Sequence, residues 1–427
     1  MKSKSYELIR EQVYSDRLDN GMPVYVVKKS GFYKTYAFFA TDYGGADRRF
    51  KLGGEWIDTP EGVAHFLEHK MFDTEDGNAL AELSANGAQP NAFTSSDITA
   101  YFFESTEKFE ENLKILLSFV SVPYFTKESV EKEQGIIGQE IRMTEDEPDY
   151  AAYYGLMKLL FRHNPVRDSV AGTVESIAEI TDETLYNCHR IFYNPSNMAL
   201  VVAGDVDPDR IFELARKILP STRVSPPERD YGGAEERAPV SQRAERAMEV
   251  SKPIYMIGGS AECPERGAER LRLDTIGSLA TELIAGKSSP LYFRLYAEGV
   301  VKSDFQAAFE STAGVAYSVF GGNGAAPDRV FEEIKAEIAR VCDGGGDRAL
   351  FERIKKANFG RYMRALNSFE SICYNYAGGY FRGYDAYTAS DVLLSVTFDE
   401  VVDFIRENMK PENLAISVVT PKAGETE

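Results

Sequence analysis

Apolar residues along this chain follow two different spacings, and each predicts a different element. Met22–Lys29 and Lys34–Tyr43 are dense runs of Val, Tyr, Phe and Ala of strand length. Gln89–Glu104 and Met198–Ala203 read as strands on the same grounds. Helical spacing governs 107–121, 127–145, 149–161, 182–193 and 207–218, with shorter helices around His65 and over Ala79–Asn86. Adjacent strands and clustered helices, with no regular alternation, predict an α+β fold rather than a doubly wound sheet.

The pattern is written twice. Residues 182–202 (DETLYNCHRIFYNPSNMALVV) and 399–419 (DEVVDFIRENMKPENLAISVV) both run from an amphipathic helix through a Pro-x-Asn turn into an apolar strand. Pro195 corresponds to Pro411 and Asn197 to Asn413, both at an offset of 216 residues, about half the chain. The stretch 220–247 is rich in Pro, Gly and charge, as expected of an exposed linker. We therefore expect two related α+β sandwich domains, each an antiparallel-rich sheet covered by helices. They span 1–219 and 248–427, joined by the linker 220–247.

Composition narrows the class of protein. With 427 residues, 43% of them hydrophobic, the chain has ample material for more than one packed domain. A formal charge of −19 argues against a nucleic-acid surface. Four widely spaced cysteines form no C-x-x-C pair and predict free thiols in a reducing compartment. The N-terminal residues are polar with no apolar leader core, and no later stretch reaches membrane-spanning length. The expected location is cytoplasmic, with no membrane association.

Two of the four histidines fall within five residues, His65-Phe66-Leu67-Glu68-His69. On a helix, positions 65, 68 and 69 share a face, so two imidazoles can grip one metal ion with a carboxylate beside the open coordination position. That arrangement suits hydrolysis by an activated water. A third ligand is needed. In the helix 127–145, Glu133, Ile137 and Glu140 lie along one stripe, because seven residues make nearly two turns. Both carboxylates sit among apolar neighbours, where an unpaired charge is costly. The residues alone leave the choice between Glu133 and Glu140 open. No histidine follows His189, so the second half cannot repeat the site. His163 and His189 have no partner at ligand spacing and read as ordinary surface or core residues. The glycine-rich stretches 321–324 and 344–346 lack phosphate-binding or dinucleotide fingerprints and read as turns.

Three segments in order, GVAHFLEHKMF (62–72), GAQPNAFTSSDITAYFF (87–103) and VEKEQGIIGQEI (130–141), resemble the pitrilysin/insulinase family of inverzincin zinc metallopeptidases. The resemblance implies one zinc ion per chain, held by His65, His69 and Glu140. It implies Glu68 as catalytic base, with Glu133 supporting the site behind the ligands. Asn91, Ala92, Phe93 and Thr94 match the family's substrate-binding edge strand, which pairs with an extended peptide. The implied fold is two α+β halves forming half of a clamshell around a closed chamber, and the implied activity is endopeptidase. One departure stands out. Active members carry an Arg and a Tyr near a Ser-Ser-x-Leu segment, but in 288–299 (SSPLYFRLYAEG) Tyr296 falls where the Arg is expected. Arg294 is the nearest substitute. The resemblance and this gap together predict a homodimer, or a heterodimer with a metal-free sibling subunit, acting on peptides. The alternative is a non-catalytic scaffold or peptide-binding subunit.

Overall fold

The computed structural model describes residues 1–222, 225–264 and 266–422, and no helix among them is long and apolar enough to cross a membrane. The chain divides into two compact units. The first comprises Met1–Ile141, Ser169–Tyr231 and Tyr362–Tyr387, and the second the remaining segments.

The first unit is built on a seven-stranded sheet, ordered Lys2–Tyr6, Glu11–Arg17, Pro23–Lys28, Met198–Gly204, Thr35–Thr41, Thr99–Ser105, Gln89–Thr94. Its neighbours are antiparallel except Met198–Gly204, which runs parallel to Pro23–Lys28. Thr35–Thr41 is buried on both faces, so its apolar run is continuous rather than alternating. Ala37 and Phe39 face a core shared with Phe66 and Leu67 of the helix Val63–Lys70 and Ile137 of Lys127–Glu145. Tyr36, Phe38 and Ala40 face a second core with Phe369, Ile372, Cys373 and Ala377. The predicted strand 89–104 is in fact a hairpin, Gln89–Thr94 and Thr99–Ser105, in which Ser95 N donates to Ile98 O at 2.8 Å. Ser95, Ser96 and Asp97 supply the turn chemistry that an apolar count passes over.

The second unit holds a five-stranded sheet in the order Arg243–Met248, Ala415–Pro421, Ile254–Ala261, Val315–Asn323, Gln306–Thr312. Each strand answers one of the first sheet, with the same order and the same single parallel pair. The repeat expected from the Pro-x-Asn turns therefore extends to five strands of each sheet, with Lys2–Tyr6 and Glu11–Arg17 added in the first.

Each sheet has two apolar faces, and helices from its own half of the sequence cover only one. The other face of the first sheet is closed by the helix Phe369–Phe381. In the second unit the helix Pro148–Leu160 closes the corresponding face, burying Leu156, Met157 and Leu160 against Tyr317 and Ala415. Glycine permits the close approach. A Cβ on Gly155 would lie 2.3 Å from Ser417 Oγ, and one on Gly258 would lie 3.0 Å from Leu156 Cδ2. The expected division at 1–219 and 248–427 differs accordingly. Residues 142–168 join the second unit and 362–387 the first.

The stretch 220–247, of which residues 223 and 224 lie outside those described, is not simply an exposed tether. Lys51 N donates to Glu228 O at 3.1 Å and Asp230 N to Arg49 O at 2.9 Å, laying these residues beside the hairpin Arg49–Asp58. Arg229 is buried, pairing with Asp47 at 2.9 Å and Asp42 at 3.2 Å, and Tyr231 donates to Asp47 at 2.9 Å.

Candidate metal centre

The His-x-x-Glu-His element forms the helix Val63–Lys70, which is entered through Gly62. Gly62 has a φ of 91°, in the left-handed region, and a Cβ there would lie 2.5 Å from Ala171 O. Only glycine fits this entry without strain. Val63, Ala64, Phe66 and Leu67 are buried and fix the helix rotation, so that His65, Glu68 and His69 share the remaining face.

Glu140, on the helix Lys127–Glu145, spans both imidazoles. Its Oε1 lies 3.5 Å from His65 Nε2 and its Oε2 lies 3.6 Å from His69 Nε2. Ligand atoms of these three residues all fall within 4.8 Å of one another. Two ligands each about 2.0–2.1 Å from a tetrahedral zinc ion sit about 3.3 Å apart, so the two carboxylate–imidazole spacings fit such an ion with modest contraction. Two imidazoles and one carboxylate are also the donor set of a catalytic rather than a closed structural site.

Glu133, one stripe position earlier, meets the other side of the ring. Its Oε1 lies 3.1 Å from His69 Nδ1. A carboxylate there holds the proton on Nδ1 and leaves Nε2 free as a ligand. Burial alone would push the His69 pKa down. The Glu133 hydrogen bond and the charges of Glu68, Glu140 and Glu133 outweigh it, and the pKa is raised. Glu140 is held below its ordinary value by its bond to His65, against the opposing effect of partial burial. The His65 Nδ1 atom is buried and has no hydrogen-bond partner among the described residues.

Glu68 is 8% exposed, and burial raises its pKa against the attraction of His65 and a hydrogen bond from Thr94. Thr94 Oγ1 donates to Glu68 Oε2 at 2.9 Å. Nothing in the spacing of the chain signals that contact, because it joins a helix to a strand 26 residues away.

Asn91, Ala92, Phe93 and Thr94 lie in Gln89–Thr94 at the edge of the sheet, paired on one side only, with Thr99–Ser105. Phe93 packs on Phe38 and Tyr374, with ring centroids 6.1 and 5.8 Å apart, whereas Ala92 faces the opposite core. The outer edge of the strand has no neighbouring strand among the described residues.

The remaining candidates are held by contacts within their own units. Arg294 lies in the second unit, on the helix Pro290–Ala297, and makes a two-pronged ion pair with Glu333 at 2.9 and 2.5 Å. Tyr296 is half exposed and stacks on Tyr292. His163 also lies in the second unit, where its backbone N–H donates to Glu235 at 2.6 Å. His189 is a buried core residue, with Nε2 3.0 Å from Val120 O.

Comparison with known proteins gives a consistent result. A family model described as Insulinase (Peptidase family M16) matches residues 53–174, and one described as Peptidase M16 inactive domain matches residues 179–358. The chain is 38% identical to a Bacillus subtilis protein named uncharacterized zinc protease YmfH, over 99% of this chain and 100% of that one. It superposes on a crystal structure of an M16-like peptidase from Alicyclobacillus acidocaldarius with a TM-score of 0.92 and 34% identity, covering 96% and 99% of the two chains. Pitrilysin shares the fold, with a TM-score of 0.78 at 17% identity, and 99% of this chain covers 46% of it.

Proposed function

From the premise that this chain belongs to the insulinase family, peptidase family M16, we propose that it is a zinc-dependent endopeptidase for peptides and small unfolded segments. The observation that carries this reading is the convergence of His65 Nε2, His69 Nε2 and the Glu140 carboxylate beside a buried Glu68.

His65, His69 and Glu140 would hold the zinc ion. When bound, zinc acts as a Lewis acid that polarises the peptide carbonyl and acidifies water. Glu133 keeps the Nδ1 proton on His69 and so orients that imidazole. Glu68 has Oε2 engaged by Thr94, which leaves Oε1 as the basic atom. That oxygen takes the proton of the attacking water and returns it to the departing amine. The free edge of Gln89–Thr94 receives an extended peptide by backbone pairing, a contact that is largely blind to side-chain sequence.

The chain works as a dimer, with itself or with a metal-free sibling. Its second half has no histidine, and Arg294 is tied up by Glu333, so substrate-side groups come from a partner in this reading. Catalysis takes place in a closed chamber, as the family resemblance implies. The test is hydrolysis of a quenched fluorescent peptide by the purified chain, before and after chelation and zinc restoration. Activity that survives complete chelation contradicts the proposal.

A further inference from the structure

A general base buried beside a metal must keep one oxygen pointed at the substrate, and Glu68 has little to hold it. Its terminal torsion is broad and roughly two-fold, so burial alone does not fix the plane of the carboxylate. Among the described residues the Glu68 side chain has one hydrogen-bond partner, the Thr94 hydroxyl at 2.9 Å. Thr94 is well suited to fix it. Its branched Cβ limits its own rotamers. It pairs in register with Thr99, which is fully buried and anchored to Tyr43 O at 2.9 Å. The hydroxyl is therefore located by the interior of the sheet rather than by solvent.

Thr94 also ends the strand whose outer edge is free. The same residue belongs to the surface that receives the peptide backbone and supplies the one hydrogen bond to the base found among the described residues. Building on the peptidase reading above, we propose that Thr94 is the positioning residue for Glu68. Its hydroxyl holds Oε2 so that Oε1 faces the scissile carbonyl, and it couples peptide docking on the edge strand to alignment of the base. This assigns the Thr94 side chain to the base and leaves only its backbone to the substrate.

The experiment compares Thr94→Val, which keeps the shape and removes the hydroxyl, with Thr94→Ser, which restores it. Loss of a hydrogen bond to a charged group corresponds to a fall in kcat of roughly tenfold to a hundredfold for Thr94→Val. The expected KM and zinc content stay within about twofold of the wild type, and Thr94→Ser recovers most of the rate. In a Glu68→Gln background, Thr94→Val should cost nothing further. A second readout needs no activity. In the metal-free protein, the infrared carboxylate band identified by its loss in Glu68→Gln should shift in Thr94→Val and return in Thr94→Ser.

An unchanged kcat in Thr94→Val overturns the proposal. So does an equal loss in Thr94→Ser, which would make the methyl the important group, and so does a rise in KM alone, which would make Thr94 a substrate contact. An unmoved Glu68 band overturns it independently. A wild-type chain that binds zinc but cleaves no peptide refutes the functional reading instead, and the infrared comparison still decides the role of Thr94.

Discussion

Exchanging Glu133 and Glu140 separately for glutamine measures whether the two carboxylates divide the labour as their geometry indicates. Glu133 approaches only His69 Nδ1, at 3.1 Å, whereas Glu140 reaches the Nε2 atoms of both imidazoles, at 3.5 and 3.6 Å. Glu133→Gln keeps the shape and a weaker hydrogen-bond partner. Loss of such a supporting carboxylate typically lowers metal affinity about 10–100-fold, or about 1.4–2.7 kcal/mol. Glu140→Gln removes one of three ligands. If structural zinc sites at roughly 10–16 kcal/mol set the scale, a third share is about 3–5 kcal/mol, a loss of roughly a hundredfold to several thousandfold. The assay is competition with a chelator of known affinity at constant pH and salt, with melting curves of the metal-free proteins as a check on folding. Reversal of the order, with Glu133→Gln the more damaging, would refute the ligand assignment. Equal affinity of Glu133→Gln and wild type would refute the supporting role.

Two further predictions concern stability. His189 is buried, with its pKa pushed down to about 4 from an ordinary value near 6.5, so the unfolded chain takes up its proton first. Stability should fall as pH drops from 6.5 towards 4, and by pH 5 this residue should account for about 2 kcal/mol that His189→Gln does not lose. Denaturant titrations of the two proteins at pH 7.5 and pH 5 check it, and parallel losses contradict it. Asp47→Ala leaves Arg229 with Asp42 as its remaining carboxylate partner and removes the acceptor of Tyr231, so it should destabilise the protein by about 1–3 kcal/mol. Asp58→Ala removes an ion pair with Arg49 whose carboxylate is 69% exposed, and should cost clearly less than Asp47→Ala by the same measurement.

These sites also mark what the amino-acid sequence could and could not disclose. The face shared by His65, Glu68 and His69 follows from helical geometry alone, as does the stripe holding Glu133 and Glu140. The stripe could not say which carboxylate meets which ring nitrogen. That depends on the depth at which Val130, Ile137 and Ile141 seat the helix in the core. Local pattern placed most of the first-half helices it named within a residue or two, and the repeated Pro-x-Asn turn exposed the duplication. The exchanged helices escaped it, because an apolar face on Phe369–Phe381 says that something must cover it and not which sheet does. Arg229 and Tyr231 were hidden by the average polarity of their neighbours, and the Thr94–Glu68 bond by its lack of any period.

The central claim is that Glu68 moves the proton while His65, His69 and Glu140 hold the metal. Its most direct test is Glu68→Gln, assayed for bound zinc and for peptide hydrolysis beside the wild type. The expected result is one zinc ion per chain in both proteins, with turnover lower by roughly a hundredfold or more in the variant. A Glu68→Gln protein that binds zinc and cleaves peptide at the wild-type rate would contradict the account.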